Sequence, residues 1–366
     1  MEKHIVETLT NAFKPDVRVY KEAIYLVKRG FKVTILCWDR EPQDDLPQID
    51  NIDGIDIVRF RYICPAGQKK GKVKAFLKYI RSCKHFLCNT SYDYIHCNDI
   101  SGAIVGLCSN QKKMPMIVDM HEFFESGGLI KRKLMHYLLV YVFQKSRAGI
   151  YENAAYLADS YKKVRHKLYP LRNYPDASMV EYRKKTKDNL LRVGFHGWIR
   201  PNMYALKALF EACNDLNGVR VDINGGGPGL TQIKEWAKGV KNVNIHGPFD
   251  GTKVMSMLYE NTDVTFCGYD KNDPNYQGDA EVVKFYESIR TGTPMIMTEG
   301  IGMGDKVNKW GFGIVCDTFN KEEVKEALVK FRDDEKFWIQ CSENELKEAS
   351  KYCWENAVTV LDDIYM

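Results

Sequence analysis

Residues 190–197, LLRVGFHG, begin a second series of strands and helices halfway along the chain. Before them, short apolar runs alternate with amphipathic helical patterns such as RVYKEAIYLVKRG, residues 18–30. After them the alternation resumes and continues to FGIVC, residues 312–316. Alternating strands and helices are typical of parallel sheets with helices on both faces. Two such series predict an α/β protein with two doubly wound, Rossmann-like domains.

The strand candidates can be assigned from short apolar runs bounded by turn residues. In the first series they are HIVETL (4–9), KVTILCW (32–38), IDIVRFR (55–61), YDYIHC (92–97), MIVDM (116–120) and AGIY (148–151). In the second they are LLRVGFHG, VRVDING (219–225), NVNIHG (242–247), DVTFCG (263–268), PMIMT (294–298) and FGIVC.

The polar segment 174–189 is the natural linker between the two series. We therefore expect a first domain over residues 1–175 and a second over 190–350. Residues 351–366 predict one further amphipathic helix that returns to the first domain. Ligands of such folds bind beyond the carboxyl ends of the strands, so we expect the two domains to face each other across a cleft that holds the site.

The composition excludes several classes of protein. Of the 366 residues, 45% are hydrophobic and 28% are charged, as in folded soluble proteins. A net charge of +5 suits anionic small ligands or a membrane surface and is too weak to indicate nucleic acid. The eleven cysteines form no Cys-x-x-Cys pair and indicate a reduced, cytoplasmic protein. No signal peptide is visible, and the longest apolar stretch, 134–143, is too short to cross a bilayer.

The segment AEVVKFYESIRTGTPMI, residues 280–296, predicts a helix that ends at Gly292 before a strand. Its buried stripe comprises Val282, Phe285, Tyr286 and Ile289, and its polar row comprises Lys284, Glu287 and Thr291. Taken alone, the polar row favours an ordinary salt bridge on a solvated face.

Three further motifs each leave two interpretations open. The glycine-rich turn NGGGPGL (224–230) could approach an anion or be a plain strand-to-helix turn, and Leu230 breaks the dinucleotide fingerprint. His121, in VDMHEFFE (118–125), could contact a substrate hydroxyl or lie in a polar loop, and Glu125 replaces the second histidine of a zinc protease. Arg18 could bind a phosphate or pair with Asp16.

A basic helix over residues 69–87 combines an apolar stripe with seven basic residues. The stripe comprises Val73, Phe76, Leu77, Ile80 and Leu87. Such a helix can lie on anionic lipid, and it can also be an ordinary domain helix with a solvated basic side.

Taken together, the motifs resemble those of retaining glycosyltransferases with the GT-B fold, specifically family 4. The matching pieces are PDxRVxKEA (Pro15–Ala23), IHxxD (Ile95–Asp99), VDxHE (Val118–Glu122), RNxP (Arg172–Pro175), GxGP (Gly225–Pro228) and KxxE…GxP (Lys284–Pro294). They occur in the family's order and cover nearly the whole chain.

The resemblance assigns roles to individual residues. It implies that Glu287 binds the ribose hydroxyls of a sugar nucleotide and that His121 approaches the transferred sugar. Asp279 stands where the family commonly has a glutamate that contacts the donor sugar, and it could equally be a helix N-cap. Gly197, Gly225, Gly227, Pro228 and Gly302 would line the nucleotide.

The diphosphate contacts depart from the family pattern. Many relatives have an arginine and a lysine after the glycine that corresponds to Gly197, and Trp198 and Met203 stand there instead. We expect Arg200 and Lys284 to supply the two cations.

The resemblance therefore predicts transfer of a sugar from a UDP- or GDP-sugar to a saccharide or lipid-linked acceptor, with retention of anomeric configuration. The expected setting is bacterial surface polysaccharide synthesis at the inner face of the membrane. Cations and helix N-termini would stabilise the leaving diphosphate, so no metal and no cofactor beyond the donor is expected. The alternatives are an inactive partner subunit of the same fold, a hydrolysing nucleotide-sugar epimerase and, least supported, a nicotinamide oxidoreductase.

Overall fold

The structure of the protein is a computed structural model. It describes residues 2–14, 16–41, 45–65, 70–121, 128–177, 189–273, 276 and 281–366. The chain divides into two compact units, one formed by residues 1–172 with 358–366 and the other by residues 173–357.

The strands and helices of the first unit alternate along the chain, as expected for a parallel sheet. They are β1 (His4–Leu9), α1 (Val17–Lys28), β2 (Lys32–Asp39), β3 (Ile49–Ile52), β4 (Ile55–Arg61), α2 (Lys72–Asn89), β5 (Tyr94–Asn98), α3 (Asp99–Ser109), β6 (Met116–Met120), α4 (Leu129–Lys145), β7 (Ala148–Tyr151) and β8 (Leu168–Pro170).

The same alternation continues through the second unit. Its elements are β9 (Leu191–His196), α5 (Tyr204–Asn214), β10 (Val219–Asn224), α6 (Leu230–Trp236), β11 (Val243–Gly247), α7 (Gly251–Glu260), β12 (Val264–Cys267), α8 (Val283–Thr291), β13 (Met295–Thr298), α9 (Gly302–Trp310), β14 (Gly313–Cys316), α10 (Lys321–Asp333), α11 (Glu335–Glu348) and α12 (Trp354–Ala357). A last helix, α13 (Val360–Tyr365), belongs to the first unit.

Each sheet reverses its strand order at one point. In the described residues the first sheet has the order β3-β4-β2-β1-β5-β6-β7-β8, and only β3 pairs antiparallel with its neighbour. The second has the order β11-β10-β9-β12-β13-β14 and is parallel throughout. The switch points lie between β1 and β5 and between β9 and β12, as in doubly wound sheets. The predicted fold class is confirmed.

Apolar side chains of the strands and helices form the core of each unit. In the second unit, Leu209, Phe210 and Leu328 of the helices belong to the same buried cluster as Val193 and Ile223 of the strands. In the first unit, α2, α3 and α4 bury side chains in one shared cluster, so these helices cover the same face of the sheet. All eleven cysteines are free, and all except Cys88 and Cys108 are buried.

The structure corrects the predicted orientation of α2. Val73 and Leu77 were expected on a common apolar stripe, but they are 72% and 49% exposed. The fully buried positions are Ala75, Tyr79 and Cys83, together with Leu87 from the predicted stripe. Tyr79 explains this choice, because its hydroxyl donates to the carbonyls of Leu9 and Leu36 at 3.0 and 2.7 Å inside the core.

Two further differences concern short elements. The sequence missed β3 and β8, which are only four and three residues long and lie at the edges of the sheet. The single helix expected over 351–366 is two helices, α12 and α13, because the chain passes from the second unit to the first at Val358. Among the helices described, none is both long and apolar enough to cross a bilayer.

Candidate functional site

The switch point of the second sheet lies beside the loop that follows β9. This loop begins at Gly197, directly after His196, and the loop after the neighbouring β12 begins at Gly268. Gly197 has a φ of 138°, which residues with a side chain rarely adopt. Ligands of open α/β sheets bind at this place, so the groups around Gly197 form the candidate site of the second unit.

Lys284 lies at this switch point. Its Cε would lie 3.8 Å from a Cβ added to Gly197. Its ammonium nitrogen is 3.2 Å from the centre of the Phe195 ring. The ring of Tyr269 is 5.8 Å from the same nitrogen. The residue is 7% exposed, and burial lowers the pKa of the ammonium group to about 8. Lys284 is therefore a buried cation that aromatic rings surround.

Glu287 lies one turn further along α8 and is 6% exposed. Its Oε2 accepts a hydrogen bond of 3.1 Å from the hydroxyl of Tyr259. Because Lys284 and Glu287 are both buried, the interpretation of a salt bridge on a solvated face is wrong. Gly292 ends the helix with a φ of 59°, as predicted.

The glycine-rich turn after β10 packs directly on the loop after β9. A Cβ on Gly225 would lie 1.9 Å from the carbonyl oxygen of Gly197, and one on Gly227 would lie 2.4 Å from that of Ile199. The amides of Gly225 and Gly229 donate to the carbonyls of Gly247 and Ile199 at 2.8 and 3.0 Å. Backbone packing thus requires glycine here, and nucleotide contacts of Gly225, Gly227 and Pro228 stay a prediction.

Arg200 is a second cation on the loop after β9. Its side chain is 47% exposed and pairs with Asp273 at 3.4 Å. The guanidinium group lies 5.3 Å from the centre of the Tyr276 ring, which packs on Tyr269 at 4.5 Å. Tyr269 in turn neighbours Lys284, so an aromatic pair connects the two predicted cations.

Met203 and Trp198 occupy the positions where the resemblance implied cations. The backbone amide of Arg200 lies 3.3 Å from the sulfur of Met203, so this side chain shapes the loop. Trp198 is 67% exposed directly after Gly197.

Gly302 is the first residue of α9, which follows β13 at the same edge of the sheet. The N-terminus of this helix favours negative charge, and a contact of Gly302 with a ligand stays a prediction. Asp279 lies outside the described residues. Both roles that the sequence offered for it stay predictions, and the N-cap of α8 itself is Val282.

Sequence reasoning missed His196 and Tyr259. His196 ends β9 at the switch point, and its ring packs edge-on against Tyr259 with centres 5.2 Å apart. A histidine directly before Gly197 was a signal that could have been noticed. Tyr259 had none, because it lies in the helix α7, 28 residues from Glu287 along the chain.

In the first unit, His121 follows β6 and pairs with Asp119. Its Nε2 lies 2.8 Å from Asp119 Oδ2, and its backbone amide donates to Asp99 at 3.0 Å. Burial opposes the charged imidazole, but the negative charge of Asp119 outweighs it and raises the pKa of His121 to about 9. His121 is therefore protonated at neutral pH.

Arg18 takes neither of the roles that the sequence left open. It is buried and donates from Nε and Nη2 to both oxygens of Asp119, at 3.0 and 2.9 Å. Burial alone would raise the pKa of Asp119, but Arg18 and His121 hold it well below its usual value. Asp16 instead accepts the amide of Val19 as the N-cap of α1.

Glu22, His96 and Asp119 are the described residues whose geometry could suggest a metal. One ligand atom from each lies within 4.8 Å of the others, and all three are buried. However, Nε of Arg18 lies 3.1 Å from Glu22, and its guanidinium already binds both oxygens of Asp119. The cluster thus has its own cation, and the donor set does not fit a further one.

Comparison with known proteins finds a family match within the first unit. Residues 11–153 match the family model described as "Glycosyl transferase 4-like". These residues are therefore similar to glycosyl transferase 4-like domains. The GT-B fold and the family resemblance inferred from the motifs are thus confirmed.

Many solved structures share the fold of the whole chain, and two of them serve as examples. Sucrose-phosphate synthase from Thermosynechococcus elongatus is 13% identical, with a TM-score of 0.73 over 99% of this chain and 98% of its own. The Anabaena protein HepE, solved in complex with UDP and glucose, is 14% identical, with a TM-score of 0.69 over 98% of each chain.

A curated relative matches a short stretch of the sequence. The probable sucrose-phosphate synthase 4 of rice is 35% identical over 68 residues, which is 19% of this chain and 6% of that protein. This chain therefore spans only a small part of that relative.

Proposed function

We propose that the protein is a glycosyltransferase that moves a sugar from a nucleoside diphosphate sugar to an acceptor hydroxyl. One observation carries the proposal. Lys284 and Glu287 lie buried one turn apart on α8, beside the switch point of the second sheet. A cation and a carboxylate at this spacing suit a ligand that carries both a diphosphate and a ribose diol.

The chemistry requires charge stabilisation at the leaving group. As the bond from the sugar to the diphosphate breaks, negative charge grows on the phosphate oxygens and positive charge on the sugar. Lys284 and Arg200 supply cations, and the N-terminus of α9 adds a favourable dipole. We therefore propose a reaction that needs no metal and no cofactor beyond the donor.

For His121 we propose a hydrogen-bonding role towards a sugar hydroxyl. An imidazolium can only donate hydrogen bonds, so it suits a hydroxyl oxygen and not the abstraction of a proton. Retention of configuration rests on the family resemblance, and it is tested by the anomeric signals of the product in nuclear magnetic resonance.

The donor can be identified by calorimetric titration with UDP, GDP, ADP and NAD. A nucleotide at 100 times its dissociation constant also adds about 2.7 kcal/mol to the free energy of unfolding, which thermal shift detects. We expect a uridine or guanosine diphosphate to bind best, in line with the UDP complex of the Anabaena neighbour. Preference for NAD would contradict the proposal.

Substitutions locate the site and separate the alternatives. Lys284→Ala and Glu287→Ala should each weaken binding at least tenfold, whereas Lys309→Ala and Glu326→Ala, on exposed faces of α9 and α10, should not. Tight nucleotide binding with no transfer to any acceptor would favour the inactive partner. Conversion of the sugar nucleotide without an acceptor would favour the epimerase.

We further propose that the first unit contacts an anionic membrane surface, where a lipid-linked acceptor would lie. On α4, Ile130, Leu134, Tyr137 and Tyr141 recur on one face and are 86%, 70%, 71% and 48% exposed. Neither α4 nor α2 contains an acidic residue. Exposed lysines and arginines flank both outward apolar faces, which suits anionic headgroups.

Sedimentation with vesicles tests this contact. We expect binding to vesicles of phosphatidylglycerol and phosphatidylcholine that weakens with salt, and little binding to phosphatidylcholine alone. Replacing Ile130 and Leu134 by serine should abolish it. Ile49→Ser is the matched control, since Ile49 is 79% exposed on the edge strand β3. Unchanged binding of the double variant, or a change in its oligomeric state alone, would contradict the proposal.

A further inference from the structure

The carboxylate of Glu287 has a fixed hydrogen-bond donor behind it. The hydroxyl of Tyr259 lies 3.1 Å from Glu287 Oε2 and 3.5 Å from the carbonyl oxygen of Lys284. The shorter contact to the charged oxygen is the stronger one. Tyr259 is fully buried, so water does not compete for this bond.

Tyr259 is itself held by the end of β9. The ring of His196 meets it at an interplanar angle of 71°, with the ring centres 5.2 Å apart. Such edge-on contacts between rings restrict the tilt of both partners. The orientation of Tyr259 therefore depends on how His196 is fixed.

Two hydrogen bonds fix the ring of His196. The hydroxyl of Thr262 donates to the carbonyl of Leu258 at 2.8 Å, so its oxygen accepts from Nε2 of His196 at 2.9 Å. The side-chain amide of Asn224 then donates to Nδ1 at 3.3 Å. This assignment places the ring proton on Nε2. Asn224, at the start of the glycine-rich turn, is thus connected to Glu287 through the rings of His196 and Tyr259.

We propose that Tyr259 is a positioning residue, which holds the carboxylate of Glu287 in the plane that accepts both hydroxyls of a ribose diol. The inference rests on the proposed function and deepens it. A carboxylate binds a vicinal diol best when its two oxygens face the two hydroxyls together. Without the tyrosine hydroxyl, the carboxylate can rotate about its last torsion and loses this alignment.

The test compares UDP with 2′,3′-dideoxy-UDP by calorimetry. The wild-type protein should bind UDP on the order of tenfold tighter, because the hydroxyls of the diol bond to a charged group. Tyr259→Phe should lower this preference at least threefold and leave the affinity for the dideoxy nucleotide unchanged. In a Glu287→Ala background, Tyr259→Phe should have no further effect on the preference.

Tyr286→Phe is the matched control. It removes the hydroxyl of another buried tyrosine, one that donates to Glu281, and should leave the preference unchanged. If Tyr259→Phe does not fold, His196→Gln provides a second variant. It keeps hydrogen-bonding groups for Thr262 and Asn224 but removes the ring that packs on Tyr259. It should therefore also lower the preference for UDP over the dideoxy nucleotide.

The experiment distinguishes failure of the positioning role from failure of the proposed nucleotide site. An unchanged preference in a folded Tyr259→Phe protein, or an equal loss of affinity for both nucleotides, would overturn the positioning role. A Glu287→Ala protein that binds UDP as tightly as the wild type would instead overturn the proposed nucleotide site.

Discussion

At the scale of single residues, Lys284 has an unusual environment for a lysine. Its ammonium nitrogen lies 3.2 Å from the centre of an aromatic ring and is buried, which costs free energy for a charged group. Ring faces attract cations but replace only part of the lost hydration. An anionic ligand would restore that loss, so binding should depend on the proton of this lysine.

The first prediction concerns the pH dependence of UDP binding. Because the pKa of Lys284 is about 8 without ligand, the affinity should change little between pH 7 and 7.5 and fall by up to about tenfold per pH unit above pH 8. Lys284→Arg should remove this decline, since a guanidinium stays charged. Calorimetry between pH 7 and 9 measures both. The same dependence of UDP affinity on pH in the wild type and in Lys284→Arg would contradict the prediction.

The second prediction concerns His121 and stability. The pKa rises from 6.5 in the unfolded chain to about 9 in the folded one, so between these values the folded state keeps a proton that the unfolded state has lost. The stabilisation, on the order of 3 kcal/mol, is complete below pH 6.5 and disappears as the pH rises through 9.

Urea unfolding of the wild type and of His121→Asn at several pH values measures this difference. The gap in unfolding free energy between the two proteins should shrink from pH 6.5 to pH 9.5. The comparison removes the contributions of groups that do not interact with His121 and titrate in the same range, such as Lys284 in the second unit, whose pKa burial lowers to about 8. A constant gap would show that Asp119 does not hold the proton on His121.

At the scale of elements, two loops depend on glycine for their contact. The turn of residues 225–229 packs on the loop after β9 at distances that exclude a Cβ. From the glycines alone, the sequence left open whether this segment is an anion-binding turn or a plain strand-to-helix turn. The structure shows why residue 225 must be a glycine. Its α-carbon faces the carbonyl oxygen of Gly197, which leaves no room for a side chain.

The third prediction is that Gly225→Ala destabilises the second unit by several kcal/mol and abolishes nucleotide binding. The new Cβ would lie 1.9 Å from a backbone oxygen, so one of the two loops must move. Gly251→Ala is the control, because the nearest atom there is a flexible methionine methyl at 3.4 Å. Thermal unfolding and UDP titration measure both variants. Equal stability of the two would refute this account of the turn.

Helix α2 shows what periodicity leaves open. The apolar positions of the basic helix predicted a single buried stripe, and the face that the structure buries is rotated away from it. Tyr79 settles the orientation through two hydrogen bonds to backbone carbonyls of β1 and β2. A polar atom can thus turn a helix so that Val73 and Leu77 point outward, because the buried hydroxyl must find acceptors.

At the scale of the whole molecule, the end of the chain belongs to the first unit. Tyr365 is fully buried, and its hydroxyl lies 2.6 Å from Nδ1 of His96. The hydroxyl of Tyr94 donates to its carbonyl at 3.1 Å, and Asp362 pairs with Arg29. These contacts attach residues 358–366 to β5 and to the C-cap of α1.

The fourth prediction is that truncation after Ala357 loosens the first unit more than the second. Loss of Tyr365 leaves a cavity and removes the partner of a buried histidine, both of which destabilise. Hydrogen exchange should accelerate in β1 and β5 and change little in β9 and β10. Deletion of Met366 alone, which is 64% exposed, is the control. Equal acceleration in both units would contradict the assignment of the tail.

The sequence by itself determined the fold class, most strands and the end of α8. These features depend on local periodicity and on glycine conformation, which neighbouring residues along the chain suffice to define. The family motifs also led to Lys284, Glu287 and His121 as candidates before their surroundings were known.

The tertiary structure alone decided what these residues contact and how they are charged. Arg18 and Asp119 lie 101 positions apart, and Tyr259 and Glu287 lie 28 apart, so their pairing depends on strand order and helix packing. Burial then removes water and lets such partners set each pKa, which lowers that of Lys284 and raises that of His121. Neither pKa shift can be predicted from the sequence, because both depend on the groups that surround the side chain in the folded protein.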